Sequence, residues 1–343
     1  MIAFERSRRK AHRHQTGSGR CGLPRRVQCA GASWCRSEEW VEKHLDVLAQ
    51  AGEPFFLYVD TWDPHEPWDA PRWYTERYLP GYDGRLVNPA YTTLENLAQF
   101  DCTVEDVAIA RACYSGKLEM VDRWLGRFLD TVDALGLRDD TAVVFTTDHG
   151  FCFGEHDLFG KMIADRSRTD PGMRRWLRSP LWRDIANVPL LVRLPGNRSR
   201  ADARLVSAID LAPTITDLFG LETPEQFLGS SLLPLVTSPQ GPGREVAISA
   251  MPLANVGTDL VSVVDDVTRQ VGEWQPITVT TDDWTMLWSI RDEPCELYDR
   301  RSDRGQRANV ASEHPGEVER LHSLMISELE LADASSHHLD PRR

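Results

Sequence analysis

The run Thr141-Ala142-Val143-Val144-Phe145-Thr146-Thr147 is apolar or β-branched at every position and stops directly on Asp148-His149-Gly150. A strand apolar on both faces must be covered by helices on both sides, which restricts the chain to an α/β layered architecture. The approach to this strand agrees. Val107, Tyr114, Leu118, Val121, Leu125, Phe128, Val132 and Leu135 recur in steps of three and four, Gly136 offers a left-handed stop, and Asp139-Asp140 turns the chain.

Two further runs read as strands, a buried one at 54–60 around Phe55-Phe56-Leu57-Tyr58-Val59, and a strand-like one at 188–194. Helices are predicted over 37–51, where Trp40, Val41, His44, Leu45 and Leu48 share a face, and over 210–218, with Pro213 in the first turn. Strands alternating with helices predict a largely parallel sheet flanked by helices. Beyond the Pro/Gly-rich stretch 234–243, strand-like segments at 245–249, 276–281 and 285–290 and a helix at 317–331 predict a small α+β C-terminal domain. The expected division is an irregular basic segment over 1–36, an α/β core over 37–233 and the small domain over 244–335.

Charge narrows the partners. The formal net charge is -13, although residues 1–36 hold nine Lys/Arg against Glu5 alone, which leaves the remainder near -21 (-13 minus +8). A surface this acidic repels phosphate backbones, so no nucleic-acid partner is expected. The basic segment has no apolar core of the signal-peptide kind, and no apolar run approaches the roughly 20 residues of a membrane span. The reading is a soluble chain without signal peptide or transmembrane segment, its compartment and oligomeric state left open. Of seven cysteines, Cys21, Cys29 and Cys35 lie in the basic segment and the others are scattered, without a disulfide framework or zinc-type pairing.

In an open α/β sheet, ligands bind beyond the carboxyl ends of the strands, which selects the loops after Val59 and Thr147. Asp148 and His149 each supply a donor atom for a metal, and Gly150 lets the backbone turn so that both face one point. By itself an Asp-His-Gly corner is equally a strand-end turn. The next segment, Gly154-Glu155-His156-Asp157-Leu158-Phe159-Gly160-Lys161, adds a histidine and a lysine near the same corner. The loop after Val59 contributes His65 within Pro64-His65-Glu66-Pro67. Trp62, Trp68 and Trp73 either wall an aromatic or sugar pocket or pack structurally, and Asp122 and Arg123 fall on the polar side of the long helix.

These blocks resemble, in order, the signature of sulfatases in the alkaline-phosphatase superfamily. Val144 to Gly150, Gly154-Glu155-His156 and Gly160-Lys161 resemble its metal corner. Pro64 to Pro67 resembles the family's HxP loop, and Tyr114 through Asp122-Arg123 with Gly126 its long helix. Asp210-Leu211-Ala212-Pro213-Thr214, Gly229-Ser230-Ser231-Leu232 and Glu296-Leu297-Tyr298-Asp299 with Asp303 and Asn309 resemble its later blocks. The resemblance covers about residues 37–330. It implies a metal-dependent sulfuric ester hydrolase acting on a sulfated small molecule or glycan, or else a phosphodiesterase or phosphonate monoester hydrolase.

By the same resemblance, Asp148 and His149 ligate the metal, Lys161 and His65 are catalytic and bind the sulfate, and His156 binds substrate or supports the site. An imidazole ligand places manganese level with calcium, with zinc or magnesium also admitted. The family's nucleophile is formylglycine made within C-x-[PA]-x-R. That motif is absent; Cys21-Gly22-Leu23-Pro24-Arg25 has the arginine but Leu23 at the Pro/Ala position. The first core strand and its paired Asp also lack a counterpart. The expectation is an N-terminally truncated or misassigned start, a sheet without one inner strand, and either an incomplete enzyme, an inactive remnant, or a chain whose exposed strand edges prevent folding.

Overall fold

The computed structural model describes residues 2–6, 26–29, 45–50, 52–165, 175–178, 180–196, 199–238, 240–250, 276–289, 294–334 and 336–343. Five strands form the main sheet in the order β10-β5-β1-β3-β2: β1 is Ile2–Arg6, β2 Arg26–Cys29, β3 Phe56–Val59, β5 Thr141–Thr146 and β10 Leu190–Arg193. Strands β2, β3 and β5 run one way and β1 and β10 the other, so the sheet is mixed in direction.

Two expectations are corrected here. The stretch 1–36 is not irregular throughout, since it contributes β1 and β2, and the inner strand is not missing. β1 lies antiparallel between β3 and β5, with Ile2 opposite both Val59 and Phe145. Each neighbour presents a row of N–H and C=O groups that must be paired in an interior, and a strand between them pairs both rows. The gap on which the non-folding expectation rested is therefore closed. Within the predicted helix 37–51, the residues described, 45–50, are helical, and 37–44 lie outside the described residues.

The pleat separates two cores. Val143 packs with Leu45, Leu48, Leu57, Val121, Phe128 and Val132 beneath the long helix, whereas its neighbour Val144 packs with Leu211 and Leu232 on the opposite face. The long helix spans Val104–Ala134. One member of its expected stripe is displaced: Leu118 is 41% exposed, while Lys117 beside it is buried.

Its start is set by Thr103, whose hydroxyl accepts the Asp106 N–H at 3.2 Å while the Asp106 carboxylate accepts the Thr103 N–H at 2.8 Å. This reciprocal cap satisfies two donors that a helix N-terminus leaves open. The Thr103 hydroxyl holds the Asp106 carboxyl below the ordinary range against its desolvation. Thr103→Ala is expected to destabilise the protein by about 1 kcal/mol in urea denaturation.

Two smaller sheets border the site: β4 (Thr92–Thr93), β7 (Leu158–Gly160) and β6 (Cys152–Phe153) in that order, and the pair β8 (Ile163–Asp165) with β9 (Arg175–Arg178). The C-terminal region forms an antiparallel sheet of β11 (Ala247–Ala250), β12 (Ile277–Thr280), β13 (Trp284–Trp288) and β14 (Glu296–Asp299). With the helix Pro315–Leu331, it closes a core of Val279, Met286, Leu297, Leu321 and Met325. The α/β architecture with a small α+β C-terminal unit agrees with the sequence reading. Among the described residues, no helix is long and apolar enough to cross a membrane.

Candidate active site

Because Val59 and Phe145 both face Ile2, β3 and β5 end level with each other. Their following loops leave the same sheet edge two strand spacings apart, about 10 Å. The first is the proline-punctuated segment 60–71, in which the Asp63-Pro64 and Glu66-Pro67 bonds are cis; the second is the Asp148 corner. The β6–β7 hairpin then returns to place Lys161 immediately after β7.

The structure brings His65 and Lys161 together. Lys161 Nζ lies 3.2 Å from His65 Nε2, across 96 residues of sequence. His65 Nδ1 faces the Glu66 carbonyl oxygen at 2.7 Å. A carbonyl only accepts, so Nδ1 carries the proton and Nε2 offers a lone pair to the Lys161 ammonium. The Glu66 side chain closes the group: its carboxylate lies 3.3 Å from His65 Nδ1 and 3.5 Å from Lys161 Nζ, and it accepts the Tyr91 hydroxyl. Tyr91 reaches it because Thr92 pairs with Phe159, which sets Tyr91 against Gly160. A Cβ on Gly160 would stand 3.0 Å from Tyr91 Cα, so glycine there permits the approach.

The loop holding His65 is fixed from the long helix. Lys117, 5% exposed, bonds Asp63 at 2.9 Å and also bonds Asp69. Burial disfavours its ammonium, but the bonds to Asp69 and Asp63 outweigh this and hold its pKa above the ordinary lysine value. Trp68 anchors the same loop from inside, its indole N–H donating to the Pro64 carbonyl at 3.0 Å. Its ring is buried among Tyr114, Phe151 and Phe153, which makes it a packing residue. Trp62 and Trp73 are exposed, and the Trp62 ring lies tilted against that of His65 with centroids 4.1 Å apart. Asp122 and Arg123 lie on the solvent face of the long helix.

At the other corner, His149 Nδ1 meets the Gly150 carbonyl at 3.0 Å. This places the proton on Nδ1 and leaves the Nε2 lone pair outward, 3.7 Å from Asp148 Oδ2. An imidazole oriented through its other nitrogen and an adjacent carboxylate are a donor set that suits a divalent cation. Among the described residues, no group of three or more His, Cys, Asp or Glu side chains gathers around one point. Gly150 has a different reason from the sharp turn expected: a Cβ there would stand 2.0 Å from the Asp184 carbonyl oxygen, and its N–H donates to the Ile185 carbonyl at 2.8 Å.

His156 is removed from the His65 cluster into a buttress behind this corner. It stacks on Trp182 with ring centroids 4.2 Å apart, and its Nε2 lies 3.4 Å from Asp184 Oδ2. The imidazole beside it holds the Asp184 carboxyl below the usual range. Trp182 in turn donates to Glu296 at 2.8 Å, which joins the C-terminal sheet to the corner.

The other motif blocks are structural joints. Asp210 binds the Ser230 N–H at 2.9 Å, and the Thr214 hydroxyl accepts the Leu232 N–H at 2.8 Å, locking the two blocks together. The Asn309 side chain accepts the N–H groups of Leu297 and Ala311, each at 3.0 Å. The described cysteines do not offer the missing nucleophile. Cys102, Cys113 and Cys152 are buried, burial pushes the Cys152 thiol up, and that of Cys295 is pushed up to about 11. Cys21 lies outside the described residues.

Comparison with known proteins gives the family and the fold. The sulfatase family profile matches residues 13–221, and the chain belongs to that family, within the alkaline-phosphatase-like superfamily. It is 27% identical over 275 residues to the uncharacterized sulfatase YidJ of Escherichia coli, covering 78% of this chain and 48% of that protein. It is 22% identical over 311 residues to an arylsulfatase of Clostridium perfringens, covering 84% and 57% respectively. The chain thus spans about half the length of these relatives. Among solved structures, its fold is similar to a sulfatase yidJ of Bacteroides fragilis (TM-score 0.66, 19% identity, 89% of this chain and 60% of that one). It is also similar to a phosphonate monoester hydrolase of Silicibacter pomeroyi (TM-score 0.63, 22% identity, 90% and 61%).

Proposed function

We propose that this chain belongs to a metal-dependent sulfuric ester hydrolase, with His65 and Lys161 holding the ester group and Asp148 and His149 holding the cation. The observation that carries this reading is the meeting of Lys161 Nζ and His65 Nε2 at 3.2 Å. One fixed ammonium and one imidazole nitrogen at a loop-lined sheet edge form a seat for a small oxyanion. Lys161 offsets charge on the ester oxygens, and His65, once protonated at Nε2, donates that proton to the departing alcohol oxygen as a water oxygen bonds to sulfur and the S–O bond to the alcohol breaks. Glu66 faces Nδ1 throughout and keeps the ring oriented.

A divalent ion at Asp148 and His149 would supply Lewis-acid polarisation of the ester and activation of an attacking oxygen. The nitrogen donor of His149 beside the Asp148 carboxylate sets manganese level with calcium, with zinc or magnesium also admitted. The formylglycine of the family does not fit the residues present, because C-x-[PA]-x-R is absent and the described cysteines are buried or raised in pKa, so no step is drawn through it. The substrate proposed is a sulfated small molecule or glycan. In support, a solved structure of similar fold (TM-score 0.62, 17% identity) holds its substrate D-glucosamine-2-N,6-O-disulfate. The likeness to phosphonate monoester hydrolases favours a second reading, in which the ester is a phosphonate.

The test is turnover of p-nitrophenyl sulfate by the purified chain with manganese. Lys161→Met and His65→Gln are each expected to lower kcat/KM about a hundredfold, and Asp148→Ala to remove the metal dependence. A chain that binds manganese yet turns over neither sulfate nor phosphonate esters is a non-catalytic member, and the hydrolase reading falls.

A further inference from the structure

We propose that Glu66 is a charge filter that makes the Lys161–His65 seat selective for singly charged oxyanions over doubly charged ones. The inference rests on the functional reading above and deepens it by naming the charge class of the substrate. Among the described residues, the side chains gathered in the seat are Lys161, His65 and Glu66, with Tyr91 on Glu66. Lys161 is the ammonium at its wall, and the Glu66 carboxylate stands 3.5 Å from that ammonium while also facing His65 Nδ1 at 3.3 Å.

The carboxylate is held there. Tyr91 donates its hydroxyl to the same oxygen that faces Lys161, and Tyr91 is fixed by the β4–β7 pairing and by its approach to Gly160. Glu66 is therefore not a mobile surface charge that withdraws when an anion enters. Lys161 and Glu66 cancel, so the seat is neutral with a neutral His65 and carries one positive charge with a protonated one, which balances a monoanion and underbalances a dianion.

A sulfate monoester and a phosphonate monoester each carry one charge at neutral pH, whereas a phosphate monoester carries close to two. The second charge meets the Glu66 carboxylate within a few ångströms, in surroundings where water screens it only partly. Glu66 is thus a positioning and selecting residue that acts through Lys161 and His65 and makes no bond to the reacting atoms.

The test uses two inert anions of the same shape, benzenesulfonate with one charge and phenylphosphonate with two above its second ionisation. Their dissociation constants are measured at pH 8 by ligand-detected NMR on the full chain. The wild-type protein is expected to prefer benzenesulfonate, and Glu66→Gln, which keeps the shape, to move the ratio of affinities toward phenylphosphonate on the order of tenfold. Lys161→Met should abolish binding of both.

Equal or reversed preference in the wild-type chain, which needs no variant to fold, overturns the filter, as does a ratio that Glu66→Gln leaves unchanged. A shifted ratio without ester turnover keeps the filter and removes the hydrolase reading. Turnover without a shifted ratio does the opposite, and failure of the wild-type chain to bind either anion removes both.

Discussion

Asp210→Asn is expected to lower the unfolding free energy by about 3–5 kcal/mol, read as a large fall in the urea midpoint. Asp210 is 1% exposed, and its carboxylate pairs with Arg244 at 2.6 Å. The same two oxygens accept the N–H groups of Ser207 at 2.8 Å and Ser230 at 2.9 Å. An amide supplies one acceptor oxygen and one donor nitrogen, so Asn turns a donor toward at least one of these N–H or guanidinium groups and removes the charge that Arg244 faces. The neighbouring Gly229 cannot yield, because a Cβ there would already stand 2.0 Å from the Ile209 carbonyl oxygen. A loss below about 1 kcal/mol would show that the joint between the two blocks relaxes without cost.

That joint shows what a motif does and does not say. Asp210 and Gly229-Ser230-Ser231-Leu232 were legible as family blocks, but a carboxylate that caps backbone amides is indistinguishable in sequence from one that meets a substrate. Strands β3 and β5 were legible because burial forces continuous apolar runs, and β10, at the sheet edge with Leu191 exposed, from the apolar run Leu190-Leu191-Val192. β1 was not: it pairs backbone with backbone on both sides, and Ile2-Ala3-Phe4 is too short to show a period. The His65–Lys161 meeting was expected from resemblance alone, since nothing in their spacing brings residues 96 apart together. Glu66 stood inside the quoted loop, yet its role depends on Tyr91, which no pattern connects to it. His156 sat beside Lys161 in sequence and was grouped with it; its left-handed backbone (φ 53°) turns the ring toward Trp182 instead.

Lys117 carried a signal that can be read in retrospect. It follows Cys113 and precedes Val121 by four residues each, so it falls on the buried stripe of the long helix, where a cation must have partners. Lys117→Met is expected to cost about 3–5 kcal/mol, because the Asp63 carboxylate, 4% exposed, would lose the Lys117 ammonium while staying buried. The loss should be accompanied by weaker oxyanion binding, since Asp63 and Asp69 flank the turn that presents His65.

The pH dependence identifies the cause. The folded pKa of Lys117 is raised above its ordinary value of 10.5, so the stabilisation from the ammonium is complete below that value and is lost as pH rises through the higher folded one. The wild-type protein should therefore lose stability on the alkaline side, and Lys117→Met should lack that component while being less stable at pH 8. Urea midpoints measured at pH 8 and above the ordinary lysine value of 10.5 decide the matter. An identical alkaline loss in the two proteins would assign it to other groups and leave Lys117 a packing residue, whereas the expected difference makes it the tie by which the long helix sets the position of His65.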